Sequence, residues 1–591
     1  MKRYIFIIIA ALFSAVACEG FLDRFPLSQE SPESYFRNES QLAAFSNTFY
    51  QSLYDNSELY NTESDVAIRA TMGDLLRGGN HRTAPASGGG WNFDVLRKVN
   101  TLLGHLHQCE DADARLKYEA LARFFRVEIY AELVYRFGDV PWIEHELDSD
   151  DPLVYGGRDS REFVMQKMID DIDFAIMYLP SEKSAYTITK WTALALKSRF
   201  CLFEGTFRKY HGITGYEHEA KWYLEQAAEA SLAFMNSSPY TIYNTGNPES
   251  DYRNLFASLE SETSEVILAV NYIDGLKYNE ATNFCLSSSA GQSGLTKKIV
   301  DSYLCRDGSR FSDKAGWETM QFYEETTGRD PRLAQTIRIP GYMAIDGTTT
   351  EVPQFGATVT GFQHDKWRVS TKYQEGTKTY NDICVYRTAE VYLNYAEALA
   401  ELGTITQADI NKSIKPLRDR VGMPNLYLDE ANADPCDYMA SKEYGYPNVD
   451  PGKNKGVILE IRRERTIELI REGNLRHWDL MRWKEGKAIE QEMYGMYFPG
   501  PGEYDLDGDG KKDICLWTGT KPSTSCAQAL QIGRAIKLSG GTSGYVDFHQ
   551  ETEHIFDEKR DYFYPIPLDD LSLNTNLKQN PGWPEIGSED K

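Results

Sequence analysis

The stretch ILEIRRERTIELIREGNLRHWDLMRWKEG, at residues 458–486, has the strongest helical pattern in the chain. Its first half repeats apolar residues at the spacing of one buried helix face: Ile458, Ile461, Ile467 and Ile470. Gly473 can adopt the left-handed conformation that ends a helix, so a second helix is expected after it. Trp478 and Trp483 lie in that second segment. The pattern therefore predicts two helices that meet at a tight corner around two tryptophans.

Charged residues fill the remaining positions of this stretch. Glu460 and Arg463 are three residues apart and are predicted to pair on the helix surface. Glu468 and Arg471 are also three residues apart and are predicted to pair in the same way. The charges could mark a catalytic or ligand site, or they could belong to a packed hairpin whose arginines are paired or cover apolar surface. The apolar periodicity favours the packed hairpin.

The first eighteen residues, MKRYIFIIIAALFSAVAC, have the order of a lipoprotein export signal. Lys2 and Arg3 precede an apolar run that is too short to span a bilayer, and small residues precede Cys18. We predict that residues 1–17 are a signal peptide and that Cys18 carries lipid after cleavage. An ordinary export signal with a chance cysteine is the alternative.

Acidic residues outnumber basic ones by 88 to 63, which gives a formal net charge of -25 at pH 7. A field of this sign repels phosphate backbones, so we expect no nucleic-acid partner. The nine cysteines include no CxxC pair, which argues against a zinc ribbon or a redox motif. Apart from Cys18, most of them are predicted to be small buried residues.

Helical periodicity recurs along much of the chain. The predicted helices lie at about residues 39–54, 91–108, 113–135, 160–178, 189–207, 217–235, 387–402 and 408–421. Two of them, 189–207 and 217–235, alternate large and small apolar residues in the manner of tetratricopeptide repeats. The prediction is a mostly α fold, in which stacked helix pairs hide each other's apolar faces. This scaffold is expected at about 39–236 and 385–485.

Four long segments lack this periodicity and are rich in Gly, Pro, Thr and Asn: about 55–90, 240–380, 422–455 and 486–560. Long loops on a rigid base usually carry function. We therefore predict that these segments form a loop-rich region that faces a ligand.

Several stretches, taken in order, are similar to one protein family. They are CEGFLD (18–23), LVYRFGDVPW (133–142), DSYLCRDGSR (301–310), GRDPRL (328–333), VYRTAEVYLNYAEALAELG (385–403), ERTIELIREGNLRHWDLMRWKEG (464–486) and YFYPIPLDDLSLNTNLKQNPGW (562–583). In this order and spacing they resemble the SusD/RagB family of outer-membrane nutrient-binding lipoproteins. The resemblance covers essentially the whole chain after residue 17.

The resemblance implies one SusD-like domain at residues 18–591, anchored by lipid to the outer membrane and facing the cell exterior. It implies that the protein captures oligosaccharides and passes them to a SusC-like TonB-dependent transporter, without catalysis. A peptide-binding member of the same fold is the nearest alternative. A secreted glycosidase and a purely structural repeat scaffold are more distant ones.

Sugar sites combine flat aromatic faces, which cover the C–H side of a pyranose ring, with groups that hydrogen-bond hydroxyls. The candidates in the irregular segments are Trp91, Asn92, Asp74, Arg77, Trp317, Tyr342 and Trp367. For each of them the alternative is a structural role as a loop anchor. The tryptophans of other segments are assigned to packing: Trp142, Trp191, Trp222, Trp478 and Trp483.

The segment DLDGDGKKD, at 505–513, is a candidate calcium loop. It places four carboxylates around Gly510: Asp505, Asp507, Asp509 and Asp513. Alternating aspartates can bring their carboxylates to one centre, and the glycine permits a sharp turn. The late bidentate acid of a full twelve-residue loop is absent, because Leu516 is at that position. A solvated Asp/Gly-rich hairpin is the alternative. A bound calcium would stiffen the loop, and no other cofactor is expected.

Motifs for enzymatic chemistry are missing from the sequence. It contains no GxSxG, HExxH or P-loop motif. His105 and His107 are two residues apart, so they point to different sides of a helix and make poor joint metal ligands. Carboxylates are too numerous for a glycosidase pair to be recognised by spacing. We expect a binding protein and no catalytic residues.

Overall fold

The computed structural model describes residues 35–53, 64–279, 291–374 and 379–585. The predicted signal peptide, the lipidation site Cys18 and Cys285 lie outside these residues. No helix of the described part of the chain is long and apolar enough to cross a membrane. The seven cysteines within the described residues are all free thiols, and five of them are buried.

The fold is mostly helical, as predicted. The described helices are α1 (Glu39–Ser46), α2 (Asp74–Arg77), α3 (Asp94–His105), α4 (Ala112–Phe137), α5 (Arg161–Tyr178), α6 (Lys190–His211), α7 (Ala220–Ser237), α8 (Asp251–Ala257), α9 (Lys297–Ser302), α10 (Phe322–Thr326), α11 (Pro331–Ala334), α12 (Thr388–Leu402), α13 (Gln407–Arg420), α14 (Leu428–Ala433), α15 (Asp437–Ala440), α16 (Lys455–Glu468), α17 (Leu475–Arg482) and α18 (Leu568–Leu573).

The strands of the described residues are short. They are β1 (Ala67–Ile68), β2 (Val266–Val270), β3 (Gly294–Leu295), β4 (Ile383–Arg387), β5 (Tyr497–Phe498), β6 (Gly502–Tyr504), β7 (Ile514–Trp517), β8 (Gln528–Gln531) and β9 (Gly544–Tyr545). Antiparallel pairs join β1 to β3, β2 to β4 and β5 to β9. In the remaining sheet β7 is central, antiparallel to β6 and parallel to β8.

The long helices form one continuous stack, which confirms the predicted scaffold of helix pairs. Each helix from α3 to α7 packs against the next, and α12 then packs against α7. The chain thus leaves the stack after α7, builds the loop-rich region, and returns through the β2–β4 ribbon. Gly205 on α6 permits close contact with α7, because a Cβ at this position would lie 2.7 Å from the Cγ atom of Leu224.

Local chemistry explains where these helices begin and end. The Asp111 side chain accepts hydrogen bonds from the backbone N–H groups of Asp113 and Ala114 and so caps the start of α4. Gly138 ends the same helix with φ of 73°, in the region that glycine adopts without steric cost. The predicted helix bounds therefore agree closely with the observed ones.

The hairpin of α16 and α17 is a buried part of this scaffold. Every residue of α16 from Gly456 to Glu468 is buried, charged residues included. The predicted pair of Glu460 and Arg463 exists, with Oε2 and Nε 3.0 Å apart, but it is buried. The predicted surface pair of Glu468 and Arg471 does not form. Helices α12, α13, α14 and α15 pack around α16, so no side of it remains as a solvated face.

A buried network of charges surrounds the end of α16. Glu468 is at its centre, and its carboxylate accepts hydrogen bonds from Arg387 at 2.8 Å, Arg420 at 2.6 Å and Arg332 at 3.0 Å. The other members are Glu265, Asp330, Glu464, Glu472, Lys366 and Arg418. The network thus contains five carboxylates and five cationic groups. Its charges balance, which is the condition for burying so many of them.

Burial alone would raise the pKa of Glu468. The guanidinium groups of Arg420, Arg387 and Arg332 lower it by more, so the pKa lies well below the usual range for glutamate. Glu468 is therefore ionised in the folded protein. Because its pKa is lower folded than unfolded, it stabilises the fold above the unfolded value of about 4.3, and this contribution is lost as the pH falls further.

Removing the negative charge of Glu468 should destabilise the folded protein. We expect Glu468→Gln to lower the free energy of unfolding by about 3–5 kcal/mol, because three buried arginines lose a shared anion. Urea denaturation of the purified protein measures the change. Glu182→Gln is the control, since Glu182 is exposed and its loss should cost no more than about 0.5 kcal/mol. Equal stability of the two variants would contradict the proposed role of the network.

Candidate ligand-binding site

Five aromatic side chains lie together on the loop-rich part of the molecule, and we call them the ring platform: Trp317, Tyr438, Tyr444, Tyr494 and Tyr545. The Trp317 ring lies 5.3 Å from that of Tyr438 and 5.7 Å from that of Tyr444, in both cases edge to face. Tyr438 and Tyr444 are stacked at 4.9 Å, as are Tyr494 and Tyr545 at 4.8 Å. Tyr438 is buried, whereas the other four rings are partly exposed or exposed.

Short elements fix these rings in place. Trp317 begins a single 3-10 turn after Gly316, whose φ is 73°. Tyr438 lies on α15, and its hydroxyl donates to the Lys298 carbonyl on α9 at 2.8 Å. Tyr545 lies on β9, opposite Tyr497 of β5. The rings therefore come from four separate parts of the chain.

Lys297, the first residue of α9, connects the two halves of the ring platform. Its Nζ atom lies 6.0 Å from the Trp317 ring centre and 5.9 Å from that of Tyr545. The same Nζ donates to Asp301 at 3.2 Å and also to Glu325. Burial lowers the pKa of Lys297, but these two carboxylates raise it above its usual value, so the side chain carries a positive charge.

A cavity of about 600 Å³ adjoins the ring platform. Tyr444 and Tyr494 form part of its wall, and Asn448 and Gln491 add amide groups. The remaining polar wall residues are Lys442, Glu443, Glu485, Lys487, Glu490, Glu492 and Glu558. Aromatic faces beside amides and carboxylates are the combination that a ring-shaped, hydroxyl-rich ligand requires.

The field of nearby carboxylates acts on the groups around the rings. Burial, followed by the negative charge of Glu492, raises the pKa of Asp547 to about 6. The same two causes, with a further contribution from Asp547, raise the pKa of Tyr494 to about 12. Glu492 and Asp547 therefore add negative charge beside Tyr494.

The predicted site residues do not form one site in the structure. Of the seven, Trp317 is the member that belongs to the ring platform. Trp91 packs edge to face on Phe137 at 4.9 Å and lines a different cavity, of about 630 Å³. Asn92 accepts a hydrogen bond from the Asp94 backbone at 2.8 Å, which fits a local role at the start of α3.

Asp74 and Arg77 face each other on the short helix α2. Their charged atoms lie 3.4 Å apart, and Arg77 also contacts His81 at 3.1 Å. Asp74 lines a third cavity, of about 400 Å³, together with Trp478. Neither residue lines the cavity beside the ring platform.

Tyr342 and Trp367 are corrections to the predicted set, because both are buried. The Tyr342 hydroxyl donates to Asp365 at 2.8 Å, and the side chain is 6% exposed. Trp367 is 4% exposed, and its indole N–H donates to the Arg471 carbonyl at 3.0 Å. Neither residue has a free ring face, so the structural alternative of a loop anchor describes them better.

Four members of the ring platform were missed by sequence reasoning, and all four are tyrosines. Three of them lie in tyrosine-rich loop segments that the sequence does show, YMASKEYGY at 438–446 and YGMYFPG at 494–500, and Tyr545 lies outside both. Nothing in the sequence indicated that these segments meet. The tryptophans assigned to packing are buried, with Trp483 at 0% and Trp478 at 6% exposure, except that Trp222 is partly exposed.

The aspartate loop joins β6 to β7. Asp505, Asp507 and Asp513 bring one carboxylate oxygen each within 4.8 Å of one another, which is close enough for a shared cation. Asp509 is not part of this group, because its carboxylate binds Lys511 at 2.7 Å. Burial and the three neighbouring aspartates raise the pKa of Asp513. Oxygen ligands around a turn with Gly510 are the type that calcium prefers.

Comparisons with known proteins agree with this architecture. SusD-like protein P2 of Formosa agariphila is 21% identical, over 99% of this chain and all of its own. A solved SusD-like carbohydrate-binding protein of Bacteroides fragilis is 20% identical and has a TM-score of 0.68, over 92% of this chain and all of its own. A laminarin-binding SusD-like protein is 18% identical and has a TM-score of 0.54, over 93% of this chain and all of its own. At these identities the structural likeness concerns the fold.

The family assignment rests on a further match. The sequence model of the SusD family matches residues 264–583, which is more than half of the chain. The matched region contains the ring platform, the central charge network and the hairpin of α16 and α17. The chain belongs to the SusD family.

Proposed function

We propose that this protein binds glycans on the ring platform and in the adjoining cavity. The observation that carries the proposal is the set of four accessible rings, Trp317, Tyr444, Tyr494 and Tyr545, beside a polar cavity of about 600 Å³. Rings of this kind cover the apolar face of a sugar, while the amides and carboxylates bind its hydroxyl groups. The relatives named for carbohydrate and laminarin binding support this ligand class.

We propose further that the protein acts by capture and delivery, without turnover. In this proposal Cys18 anchors it by lipid in the outer membrane, facing the cell exterior, and it hands oligosaccharides to a SusC-like TonB-dependent transporter. Membership of the SusD family and the predicted signal peptide at residues 1–17 support this proposal. Peptide binding remains the alternative ligand class.

Binding should depend on the rings. We expect Trp317→Ala and Tyr444→Ala each to weaken glycan binding about tenfold or more, because stacked aromatic surface is lost. Affinity electrophoresis against a panel of neutral, uronate-containing and sulfated polysaccharides finds the ligand, and calorimetry then measures the affinities.

The control is Trp222→Ala, which removes the same side chain from α7, where the ring stacks on His218 at 3.9 Å. This variant should bind as the wild type does. Normal glycan binding by both platform variants would refute the site. Tight binding of peptides with no glycan bound would favour the alternative, and release of reducing sugar would establish an enzyme instead.

The anchor and the partner can be tested together. We expect the native protein to fractionate with outer membranes and to co-purify in mild detergent with a TonB-dependent barrel. Cys18→Ala should release it from the membrane fraction, because the lipid can no longer attach. Recovery of the wild-type protein in the soluble fraction, or as a monomer from detergent, would contradict the proposal.

We also propose that Asp505, Asp507 and Asp513 bind a structural calcium ion. The convergence of their carboxylates supports this, and binding to the folded state alone would stabilise it. Calcium should then raise the melting temperature of the wild type but not that of Asp507→Asn. Asp509→Asn is the matched control and should respond as the wild type does. The same melting temperature with calcium and with chelator would exclude the site.

A further inference from the structure

The charges around the ring platform indicate which glycans it accepts. We infer that the platform selects glycans without acidic groups and rejects those that carry uronate or sulfate. This inference rests on the proposed glycan-binding function, because it specifies the ligand class of the same site.

Carboxylates approach the rings from several elements. Glu318 and Glu443 are exposed and follow Trp317 or precede Tyr444 in the chain. Burial raises the pKa of Tyr444, and the charges of Glu318, Asp301 and Glu443 raise it further. At the other end of the platform, Glu492 and Asp547 act on Tyr494 in the same way. A ligand that stacks on the rings therefore lies among negative charges.

The nearest cation does not offset this field. The Lys297 side chain is 7% exposed, and its ammonium group is bound to Asp301 and Glu325. Glu325 balances the charge of Lys297, whereas burial raises the pKa of Asp301 to about 8. An anionic group placed on the rings would therefore gain little attraction from Lys297.

The adjoining cavity has the same sign of charge. Four exposed glutamates line it, Glu443, Glu490, Glu492 and Glu558, against two lysines, Lys442 and Lys487. Lys487 is itself shared with Glu490, at 3.9 Å. The described residues that line this cavity include no arginine, the side chain best suited to bind carboxylate or sulfate in a bidentate way.

The distances involved are short enough for these charges to matter. Glu318 and Glu443 are chain neighbours of Trp317 and Tyr444. Neighbouring ring centres of the platform lie 4.8–5.7 Å apart. That is less than the screening length of about 8 Å at physiological ionic strength. A uronate or sulfate group on a bound sugar would thus face several like charges with little screening. Neutral hydroxyl groups would instead use the carboxylates as hydrogen-bond acceptors.

The first experiment compares polysaccharides in affinity electrophoresis at low salt. Laminarin, xylan, galactan and mannan represent neutral ligands, and polygalacturonate, alginate and carrageenan represent acidic ones. We expect every polysaccharide that retards the protein to be neutral. Retardation by an acidic polysaccharide that is lost in Trp317→Ala would overturn the inference while leaving the proposed function in place. Absence of retardation by every polysaccharide would instead count against the proposed function.

The second experiment compares one polysaccharide in its neutral form and in an oxidised form that carries carboxylates. The best-binding neutral polysaccharide made of hexoses (laminarin, galactan or mannan, since xylan has no C6) is oxidised at C6 to its uronate form, and calorimetry measures both affinities. We expect the oxidised form to bind about tenfold more weakly or worse in low salt. In 0.5 M NaCl the difference should shrink, because screening weakens repulsion but not a steric clash. Equal affinities in low salt would overturn the inference.

Neutralising carboxylates beside the ring platform should restore binding of the acidic polysaccharide. The double variant Glu443→Gln and Glu492→Gln keeps side-chain shape and affects exposed positions only. It should bind the oxidised polysaccharide several-fold more tightly than the wild type does. The control double variant, Glu182→Gln and Glu229→Gln, removes the same total charge from exposed positions on the helical side and should not change binding. Equal gains in both double variants would show that only the overall charge matters, which would overturn the inference.

Discussion

The interaction on which the rest of this structure depends is the shared carboxylate of Glu468. It joins Arg387 at the end of β4, Arg420 at the end of α13 and Arg332 on α11. These three arginines come from the helical scaffold and from the loop-rich region. Buried arginines cannot lose their charge at accessible pH, so each requires an anion close by. The two regions of the protein are therefore held together by a requirement for charge balance as well as by apolar packing.

Helix α9 connects the hairpin to the ring platform. Arg463 on α16 donates to the carbonyl of Ser302, the last residue of α9, at 2.7 Å. Lys297 at the start of α9 contacts two rings of the platform, and Tyr438 binds the neighbouring carbonyl of Lys298. A ligand surface built on loops thus rests on a buried helix through α9. Loop sites are precise when a rigid element orients them, and here that element is α16.

Three of the seven stretches that identified the family meet in this network. GRDPRL contributes Asp330 and Arg332, VYRTAE contributes Arg387, and the hairpin contributes Glu464 and Glu468. Their resemblance to the family therefore has a physical basis in one shared structure. The ring platform lies outside these stretches, so its composition can change without disturbing the charges that hold the fold together.

The sequence by itself determined the helices, their ends and the mostly helical fold class, because apolar periodicity and capping are local properties. It also named Trp317, as one of seven candidates, and the four aspartates of the calcium candidate, three of which come together in the structure. Only the tertiary structure decided that Tyr438, Tyr444, Tyr494 and Tyr545 join Trp317, because these residues are distant in the chain. It also decided that Tyr342 and Trp367 are buried and that the charges of α16 face other charges inside the protein. A helical pattern shows which face is apolar, but whether its polar face meets water or a buried partner depends on what packs against it.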